Sequence, residues 1–316
     1  MSNNFEISKI LSHIRSNLTK TESRDLQRLF HGRGGTFDGL GFLNADFYPP
    51  AIFITLYEER SPGWLEEFAS ELMGSGSIAS VVFQDRTSAP WKNSFFGEPL
   101  PLPHMVEENG LRYLVSLGKG ENPGIFPDMG EGRSYLRSIS SGRKVLNLFS
   151  YTCAFSVAAI AGGASYVLNV DMNSNSLSRG RENHRLNNQS LESVSFMSHN
   201  ILKSFGKIVR SGPFDLVVID PPPSQGTSFN LERDYGKILR RSAEFLTPGG
   251  EILACLNSPR YDFSWFEKFI EENSGSFRLI NRLEGGESFP ESGPGAGLKI
   301  LHFQRNTDEP ISKEHS

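Results

Sequence analysis

The chain has 316 residues, of which 37% are hydrophobic, and this is enough apolar material for two globular domains. It has no unbroken apolar run that would indicate a signal peptide or a membrane span, and its two cysteines lack CxxC spacing. A soluble cytoplasmic protein without a disulfide scaffold or a zinc site is therefore expected. The formal net charge of −4 argues only mildly against nucleic-acid binding, because a local basic patch would not appear in the sum.

The first part of the chain predicts a small α+β domain. Apolar residues at helical spacing predict an amphipathic helix over the first twenty residues, and a glycine-rich loop follows at 31–39. The other elements predicted here are strands at 42–47, 51–57 and 78–83 and a helix at 64–73. The proline-rich stretch 97–104 indicates a boundary between domains at 1–103 and 104–316. A strand pair turning at Asn109 and Gly110 then begins the second domain.

From residue 144 onward, predicted strands and helices alternate. The strands are predicted at 145–149, 166–170, 194–197, 214–220 and 251–257, with helices at 175–186, 201–209, 230–246 and 263–272. This alternation predicts a doubly wound, mostly parallel α/β sheet. Two further strands, at 277–282 and 298–304, close the chain with a Gly/Pro-rich loop between them.

Polar residues follow four of these strands, at the edge where open parallel sheets bind ligands. The first strand runs into the segment 147–152, whose backbone amides open the next helix. The second ends in Asp171, at the spacing of a carboxylate that accepts hydrogen bonds from ribose hydroxyls. His199 and Asn200 follow the third and could pair with an adenine edge, and Asp220 ends the fourth, before three stiffening prolines. The pattern predicts a nucleoside-type cofactor.

The sequence disfavours two phosphate-binding alternatives, a dinucleotide-binding domain and a nucleoside triphosphatase. The turn after the first strand reads FSYTC rather than GxGxxG and is too bulky for the close backbone approach that a pyrophosphate requires. The GPGAG stretch lies between two late strands and opens no helix, and GxxxxGK[ST] does not occur. S-adenosylmethionine (SAM), which carries no phosphate, fits this turn better than a dinucleotide does.

Several motifs taken together resemble a known family. VLNLFSYT, AGGA, NVDM, RENHRLNN and FDLVVIDPPP are similar to the bacterial 23S ribosomal RNA methyltransferases that act on cytosine C5 or guanine N7. RLFHGRGGTFDGLGF and GLRYLVSLGKGENPGIFPD extend the resemblance from about Leu26 to the C terminus. The resemblance implies a Rossmann-like class I methyltransferase fold with an antiparallel C-terminal strand, SAM as cofactor and RNA as substrate. No N-terminal PUA-type domain, which some members carry, is expected here.

The resemblance also implies the site residues, with the methionine part of SAM near 147–152, the ribose near Asp171 and the adenine near Asn200. The expected cofactor-binding residues are Phe126, Asp128, Asn147, Phe149, Ser150, Tyr151, Thr152, Asp171, Met172, His199, Asn200 and Asp220. The expected catalytic residues are Asp220, Pro221 and Asn257, the first two beside the methyl group. The departures from the family are Cys153 for a glycine, Met129 and Gly130 for Gln and Arg, and Asn200 for an aspartate.

The target atom is predicted from position 257. Cytosine C5 is a poor nucleophile and needs a cysteine thiolate, which cytosine-modifying members carry where this chain has Asn257. Guanine N7 can attack the methyl group directly, and the guanine members resemble this chain in that asparagine and in a pair like Arg233–Asp234. Catalysis would then rest on positioning and electrostatics. Cys255 is interpreted as a packing residue rather than a displaced nucleophile.

The predicted function is direct methyl transfer to a ribosomal RNA base. The alternatives are the same fold acting on a small molecule or protein, and a non-catalytic RNA-binding or ribosome-assembly factor with a decayed pocket. No metal or membrane is expected as a partner, and a homodimer is left open. His31 is interpreted as loop structure. Trp91, Phe95 and Phe96 are interpreted as core or domain-interface residues rather than base-stacking platforms, while the arginines after strand ends could line an RNA-facing rim.

Overall fold

The computed structural model describes residues 2–20, 25–74, 76–120, 122–275, 277–293 and 295–306. The chain divides into two compact units: Met1–Gly130 with Gly285–Ser292 form the first, and Glu131–Glu284 with Gly293–Ser316 the second. The boundary predicted after residue 103 differs from this division. The segment 104–130 belongs to the first unit, where the Leu26 amide donates to the Glu107 carbonyl (2.7 Å) and the Tyr48 hydroxyl to the Ile125 carbonyl (2.8 Å).

The first unit is built on a five-stranded sheet in the order β1-β2-β3-β4-β5. Its elements are α1 (Ser2–Lys20), β1 (Gln27–His31), β2 (Leu43–Tyr48), β3 (Ala51–Leu56), α2 (Pro62–Met73), β4 (Ser80–Asp85) and β5 (Lys92–Gly97). Only β3 and β4 are parallel neighbours. As predicted, α1 is amphipathic and buries Ile7, Ile10, Leu11 and Ile14 in the core. Of the aromatic residues interpreted as packing, Phe96 joins this core, but Phe95 is exposed.

A hairpin follows, formed by β6 (His104–Glu108) and β7 (Leu111–Val115). Its turn residues, Asn109 (φ 52°) and Gly110 (φ 74°), both have left-handed backbone conformations. Asn-Gly is the pair that tight hairpin turns favour, because both central residues need positive φ. The predicted strand pair is confirmed.

The glycine-rich motif around His31 is held by a buried polar network within the first unit. Arg28 donates to the Asp46 carboxylate through Nε and Nη2, and its Nη1 lies 2.6 Å from His31 Nδ1. His31 Nε2 contacts Glu291 at 3.0 Å. Burial, and next the Arg28 charge, lower the pKa of His31. His31 is the last residue of β1 rather than part of the loop, and its internal partners agree with the structural role that the sequence predicted for it.

The second unit contains a seven-stranded sheet in the order β10-β9-β8-β11-β14-β16-β15. Its elements are α3 (Gly130–Ile139), β8 (Lys144–Leu148), α4 (Ala154–Ala161), β9 (Tyr166–Asp171), α5 (Ser174–Leu186), β10 (Val194–Ser198), α6 (Phe205–Ser211), β11 (Phe214–Ile219), β12 (Ser224–Gln225), β13 (Phe229–Asn230), α7 (Leu231–Phe245), β14 (Leu246–Asn257), α8 (Phe263–Ser274), β15 (Phe277–Glu284) and β16 (Leu298–Arg305). Within this sheet, the neighbouring strands β10, β9, β8, β11 and β14 are parallel, and β16 is antiparallel to both of its neighbours. The predicted Rossmann-like sheet is confirmed.

The strand order reverses between β8 and β11, and open sheets bind ligands in the crevice outside this point. One predicted helix differs, because 201–209 forms a short 3₁₀ turn (Ile201–Lys203) before α6. Among the described residues, no helix has both the length and the apolar character needed to cross a membrane.

Candidate active site

The turn between β8 and α4 is unusual because three of its residues, none of them glycine, have positive φ. These are Phe149 (56°), Tyr151 (46°) and Cys153 (63°). Each such residue costs about 1–2 kcal/mol, and strain of this kind concentrates at functional sites. The end of β9 holds the turn in place: the Ser150 amide donates to the Val170 carbonyl (3.2 Å), and the Tyr151 amide donates to Asp171 Oδ2 (2.9 Å).

Asp171 connects this turn to the start of the next helix. Its Oδ2 accepts from the Tyr151 amide, and its Oδ1 accepts from the Asn173 amide (2.8 Å). Burial raises the pKa of Asp171, and hydrogen bonds from the amides of Asn173, Tyr151 and Met172 act in the opposite direction. Each carboxylate oxygen can accept a further bond, so the group remains a competent acceptor for ribose hydroxyls.

Cys153 is accommodated by a glycine on α5. A Cβ atom added to Gly180 would lie 2.3 Å from Cys153 Sγ and 2.9 Å from Cys153 Cβ, both far inside van der Waals contact. The Cys153 side chain therefore fills the space that a side chain at 180 would need. Burial raises the pKa of the Cys153 thiol far above its ordinary value, so the thiol stays protonated and is no nucleophile.

A cleft opens beside this turn. It brings together five of the predicted cofactor residues: Phe149, Asp171, Met172, His199 and Asn200. The sequence reasoning missed the other lining residues, which are Ile201, Leu202, Gln225, Ser228 and Phe229. Phe229 is buried and packs edge-on against Phe149, with ring centroids 4.8 Å apart. No sequence signal marks the β12–β13 hairpin that carries it, because its strands are two residues long.

The two polar residues after β10 differ in what they can offer a ligand. His199 Nδ1 lies 2.6 Å from the Ser198 carbonyl, and its Nε2 lies 2.7 Å from Lys207 Nζ, so both ring nitrogens are in use. Asn200 Oδ1 accepts from the Lys203 amide (3.2 Å) and caps the 3₁₀ turn. The Asn200 amide NH₂ is therefore the group suited to meet an acceptor nitrogen of adenine.

Asn147 lies at the end of a buried chain of hydrogen bonds beneath the turn. Its Nδ2 donates to Asn169 Oδ1 (2.9 Å), and Asn169 Nδ2 donates to Ser156 Oγ (3.0 Å). Ser156 Oγ lies 2.9 Å from His184 Nε2, and His184 Nδ1 lies 2.6 Å from Gln189 Oε1. Gln189 presents an acceptor to His184, because its Nε2 donates to a backbone carbonyl.

These partners determine the protonation of His184. Nδ1 carries the proton and donates to Gln189, whereas Nε2 accepts from the Ser156 hydroxyl. Burial lowers the pKa of His184 to about 4, so the ring is neutral at physiological pH. Asn147 Oδ1 is buried and has no hydrogen-bond partner among the described residues. The buried acceptor Asn147 Oδ1 and the carboxylate of Asp171 both fit a cofactor that carries an ammonium group and ribose hydroxyls.

Removing the hydroxyl in the middle of this chain should destabilise the protein. We expect Ser156→Ala to lower the free energy of unfolding by about 1–3 kcal/mol, because His184 and Asn169 both lose their buried partner. Urea unfolding measures the effect. Ser211→Ala is the matched control: its hydroxyl donates to the Lys207 carbonyl in an exposed position, so a change below about 0.5 kcal/mol is expected. Equal losses in both variants would contradict the prediction.

The predicted catalytic residues follow two neighbouring strands. Asp220 and Pro221 come directly after β11, and Asn257 ends β14, whose Ala254 is paired with Ile219. The buried Tyr235 hydroxyl links these strand ends, since it lies 3.3 Å from the Ile219 carbonyl and 3.1 Å from the Cys255 carbonyl.

Arg233 and Asp234 form the ion pair expected from the resemblance at the start of α7. Arg233 Nε lies 3.0 Å from both carboxylate oxygens, and Lys237 Nζ lies 2.8 Å from Oδ1. The Arg233 bond, ahead of the others, holds the pKa of Asp234 well below its ordinary range. The Asp234 side chain is buried, whereas the guanidinium of Arg233 is mostly exposed. The Arg233 guanidinium is therefore held beside Asp234 at the start of α7.

Two predicted cofactor residues, Phe126 and Asp128, belong to the first unit. Asp128 lies in a 3₁₀ turn (Pro127–Met129), and the Phe126 side chain is partly exposed. Their role in cofactor binding stays a prediction.

Comparison with known proteins identifies the class. Residues 27–304 match the S-adenosylmethionine-dependent methyltransferase family, and the chain belongs to this family. It is a SAM-dependent methyltransferase, and this favours an enzyme over a non-catalytic binding factor.

Relatives and solved structures agree with this class. YwbD of Bacillus subtilis, which carries the provisional name of a ribosomal RNA large subunit methyltransferase, is 29% identical over 95% of this chain and 80% of its own length. Ribosomal RNA large subunit methyltransferase I of Aeromonas salmonicida is 32% identical over 56% of this chain, which spans 46% of that protein. The crystal structure of SMU.776, provisionally a methyltransferase and solved with S-adenosylhomocysteine (SAH), has a TM-score of 0.84 at 25% identity, covering 96% of this chain and 81% of that one.

Proposed function

We propose that this enzyme transfers the methyl group of SAM directly to a ring nitrogen of a ribosomal RNA base, such as guanine N7. The names of the relatives support ribosomal RNA as the substrate, because both YwbD and the Aeromonas protein are named for the large ribosomal subunit. A ribosomal substrate would also place the enzyme in the cytoplasm.

The state of the cysteines supports transfer without a covalent adduct. The chain has two cysteines, Cys153 and Cys255, and each is 0% exposed. A cysteine adduct needs a thiolate that reaches C6 of the base, and neither side chain meets that requirement. Guanine N7 needs no such group, because its lone pair can attack a methyl carbon without prior activation. The observation that supports direct transfer is therefore that both cysteines of the chain are buried.

Bound SAM supplies a methyl group on a positively charged sulfur, which is the electrophile of the reaction. The residues of this chain supply positioning. Asp171 would hold the ribose, the turn 149–153 would enclose the methionine part, and Asn147 Oδ1 would accept from its ammonium group. The rigid DPPP segment and the Asn257 amide would hold the base, with the ring nitrogen facing the methyl carbon.

Mass spectrometry of nucleosides tests the proposal. Large-subunit RNA from a strain lacking the gene should accept label from methyl-labelled SAM with the purified enzyme, and digestion should release a base methylated on a ring nitrogen. RNA from the parent strain should accept far less, because its site is already modified. Transfer of label to small metabolites or proteins but not to this RNA would contradict the proposal.

Replacing Cys255 tests the absence of an adduct. We expect Cys255→Ser to retain methyl transfer within about three-fold of the wild type, because a buried packing residue of similar size is exchanged. RNA containing 5-fluorocytidine, which traps cysteine adducts, should form no covalent complex with the enzyme. A loss of about a thousand-fold together with trapping of the wild type would instead identify Cys255 as a nucleophile.

A further inference from the structure

Lys299 on β16 is fully buried, which is rare for a lysine because its ammonium group loses hydration when it leaves water. The group is nevertheless well bonded, since its Nζ donates to the carbonyl oxygens of Ser258 (2.9 Å), Gly295 (2.7 Å) and Gly297. An ammonium group has three protons and no acceptor, so three carbonyl oxygens match its donors. We call Lys299 and these three carbonyls the lysine clamp.

The lysine clamp joins two loops that are distant in sequence. Ser258 begins the loop that follows β14, whereas Gly295 and Gly297 belong to the GPGAG stretch that precedes β16. Gly295 has a φ of 71°, and a Cβ atom added to it would lie 3.1 Å from the Phe263 amide nitrogen at the start of α8. Glycine at this position therefore lets the loop approach α8 closely. The GPGAG stretch, expected to be a plain loop, thus supplies two carbonyls to an internal ammonium group.

The lysine clamp lies directly beside Asn257, the residue proposed to hold the base. Asn257 ends β14 and is paired with Leu298 of β16, the residue just before Lys299. Asn257 is exposed although the part of β14 that precedes it is buried, so it is accessible to a ligand. The bond from Lys299 fixes the next residue, Ser258, and Pro259 after it has no amide proton to donate. Asn257 is thereby held between the paired strands and the clamp.

The charge of the clamp has a cost that an apolar side chain would avoid. Burial of an ammonium group removes its hydration, and an apolar residue of similar volume at position 299 would not incur this loss. Such a residue would, however, leave the three carbonyls without their shared donor, and buried carbonyls in that state must move or recruit water. The ammonium group therefore fixes both loops in one arrangement. The cofactor cleft beside Asp171 is lined by other residues, so the clamp should act on the base and not on the cofactor.

We propose that Lys299 is a positioning residue for methyl transfer. Its ammonium group fixes Ser258, and through Ser258 it holds Asn257 at the place where the base is bound. This inference rests on the proposed function, because it takes Asn257 as a residue that holds the base. Lys299 itself touches neither SAM nor the base, since its side chain is buried and its three protons are used within the clamp.

A double-mutant cycle in kcat distinguishes positioning from general damage to the fold. With unmodified large-subunit RNA as substrate, Lys299→Met should lower kcat by about ten- to a hundred-fold, because small displacements of a positioning group have effects of this size. The Kd for SAH should stay within about two-fold of the wild type, since the cofactor cleft is intact. In the Asn257→Ala background no side chain is left to position, so Lys299→Met should lower kcat by less than about two-fold. Equal effects of Lys299→Met in both backgrounds overturn the proposal.

Amide hydrogen exchange tests the clamp without any RNA. Peptides that cover 256–263 should exchange at least about ten-fold faster in Lys299→Met than in the wild type, whereas peptides that cover Asp171 should not change. Lys268→Met, which removes a 75% exposed lysine of α8, is the matched control and should change neither exchange nor kcat. Unchanged exchange at 256–263 in Lys299→Met overturns the clamp even if the enzyme methylates ribosomal RNA. Faster exchange in an enzyme that methylates no ribosomal RNA would uphold the clamp and reject the proposed function.

A glycine variant disturbs the clamp without removing its charge, and it serves as the test if Lys299→Met does not fold. Gly295→Ala should lower kcat about ten-fold at unchanged affinity for SAH, because the new Cβ forces the loop away from Phe263. Gly142→Ala is its matched control: the φ there is 73°, and no described residue beyond the chain neighbours lies within 4 Å of the added Cβ. A Gly295→Ala enzyme with the same kcat as Gly142→Ala would contradict the proposal.

Discussion

Replacing Asp171 by alanine is expected to raise the Kd for SAM on the order of a hundred-fold. The substitution removes the proposed acceptor for the ribose hydroxyls and also the carboxylate that holds the Tyr151 amide at 2.9 Å. Hydrogen bonds to a charged group are worth about 1.5–3 kcal/mol, and each 1.36 kcal/mol is a factor of ten. Calorimetric titration with SAH measures the loss. An affinity within three-fold of the wild type would remove Asp171 from the site.

The pH dependence of SAH affinity is a second test of the role of Asp171. Burial raises the pKa of Asp171, so protonation should weaken SAH binding at a higher pH than an ordinary aspartate would. The raised pKa also means that the folded state binds this proton more readily than the unfolded chain does. The stability contributed by Asp171 therefore decreases as pH rises through the raised pKa, and its protonation at low pH does not itself unfold the protein. In Asp171→Asn, the weakening of SAH binding that accompanies protonation of Asp171 should be absent.

Replacing Gly180 by alanine is expected to weaken SAH binding about ten-fold and to destabilise the second unit. The new Cβ would lie 2.3 Å from Cys153 Sγ, so the turn 149–153 must move. Overpacking of this kind costs about 1–3 kcal/mol, which should exceed the gain of about 1 kcal/mol for alanine over glycine in a helix. Titration with SAH and thermal unfolding measure the two effects.

The double variant Cys153→Gly/Gly180→Ala should recover most of both losses, because the clash disappears and glycine accepts the φ of 63° at 153 without strain. The coupling between the two substitutions should be about 1–3 kcal/mol. Gly206→Ala is the matched control on α6, where the added Cβ would meet only the tip of Arg210 at 3.7 Å. A double variant as weak as Gly180→Ala alone would contradict a direct clash.

The second unit was largely predictable because its central strands, β8, β9, β11 and the later part of β14, are buried on both faces and form continuous apolar runs in the sequence. Parallel strands bind ligands at their carboxyl ends, so the sequence alone could place Asp171 and Asn200, which follow two of these strands, beside one cleft. The antiparallel β16 could not be derived from periodicity, which does not report strand direction, and came from the family resemblance.

Other parts of the site depend on contacts between residues distant in sequence. Gly180 has no local reason to be glycine, since it lies inside α5, and only the position of Cys153 explains it. The sequence does not distinguish His184 from a surface residue of a polar helix. Its burial depends on Ser156 and Gln189, which contact its two ring nitrogens. The segment 285–292 is a loop between β15 and β16, as predicted, but only contacts with residues distant in sequence, such as His31, show that it belongs to the first unit.

The path of the chain through segment 285–292 limits how this protein can be divided. A gene truncated after codon 130 would encode the strands of the first unit without Glu291, the partner of His31, and without Phe289, whose ring lies 4.9 Å from the guanidinium of Arg28. The first unit is thus completed only after most of the second has been translated. No single cut in the chain separates the two units, because segment 285–292 follows most of the second unit in the sequence and belongs to the first.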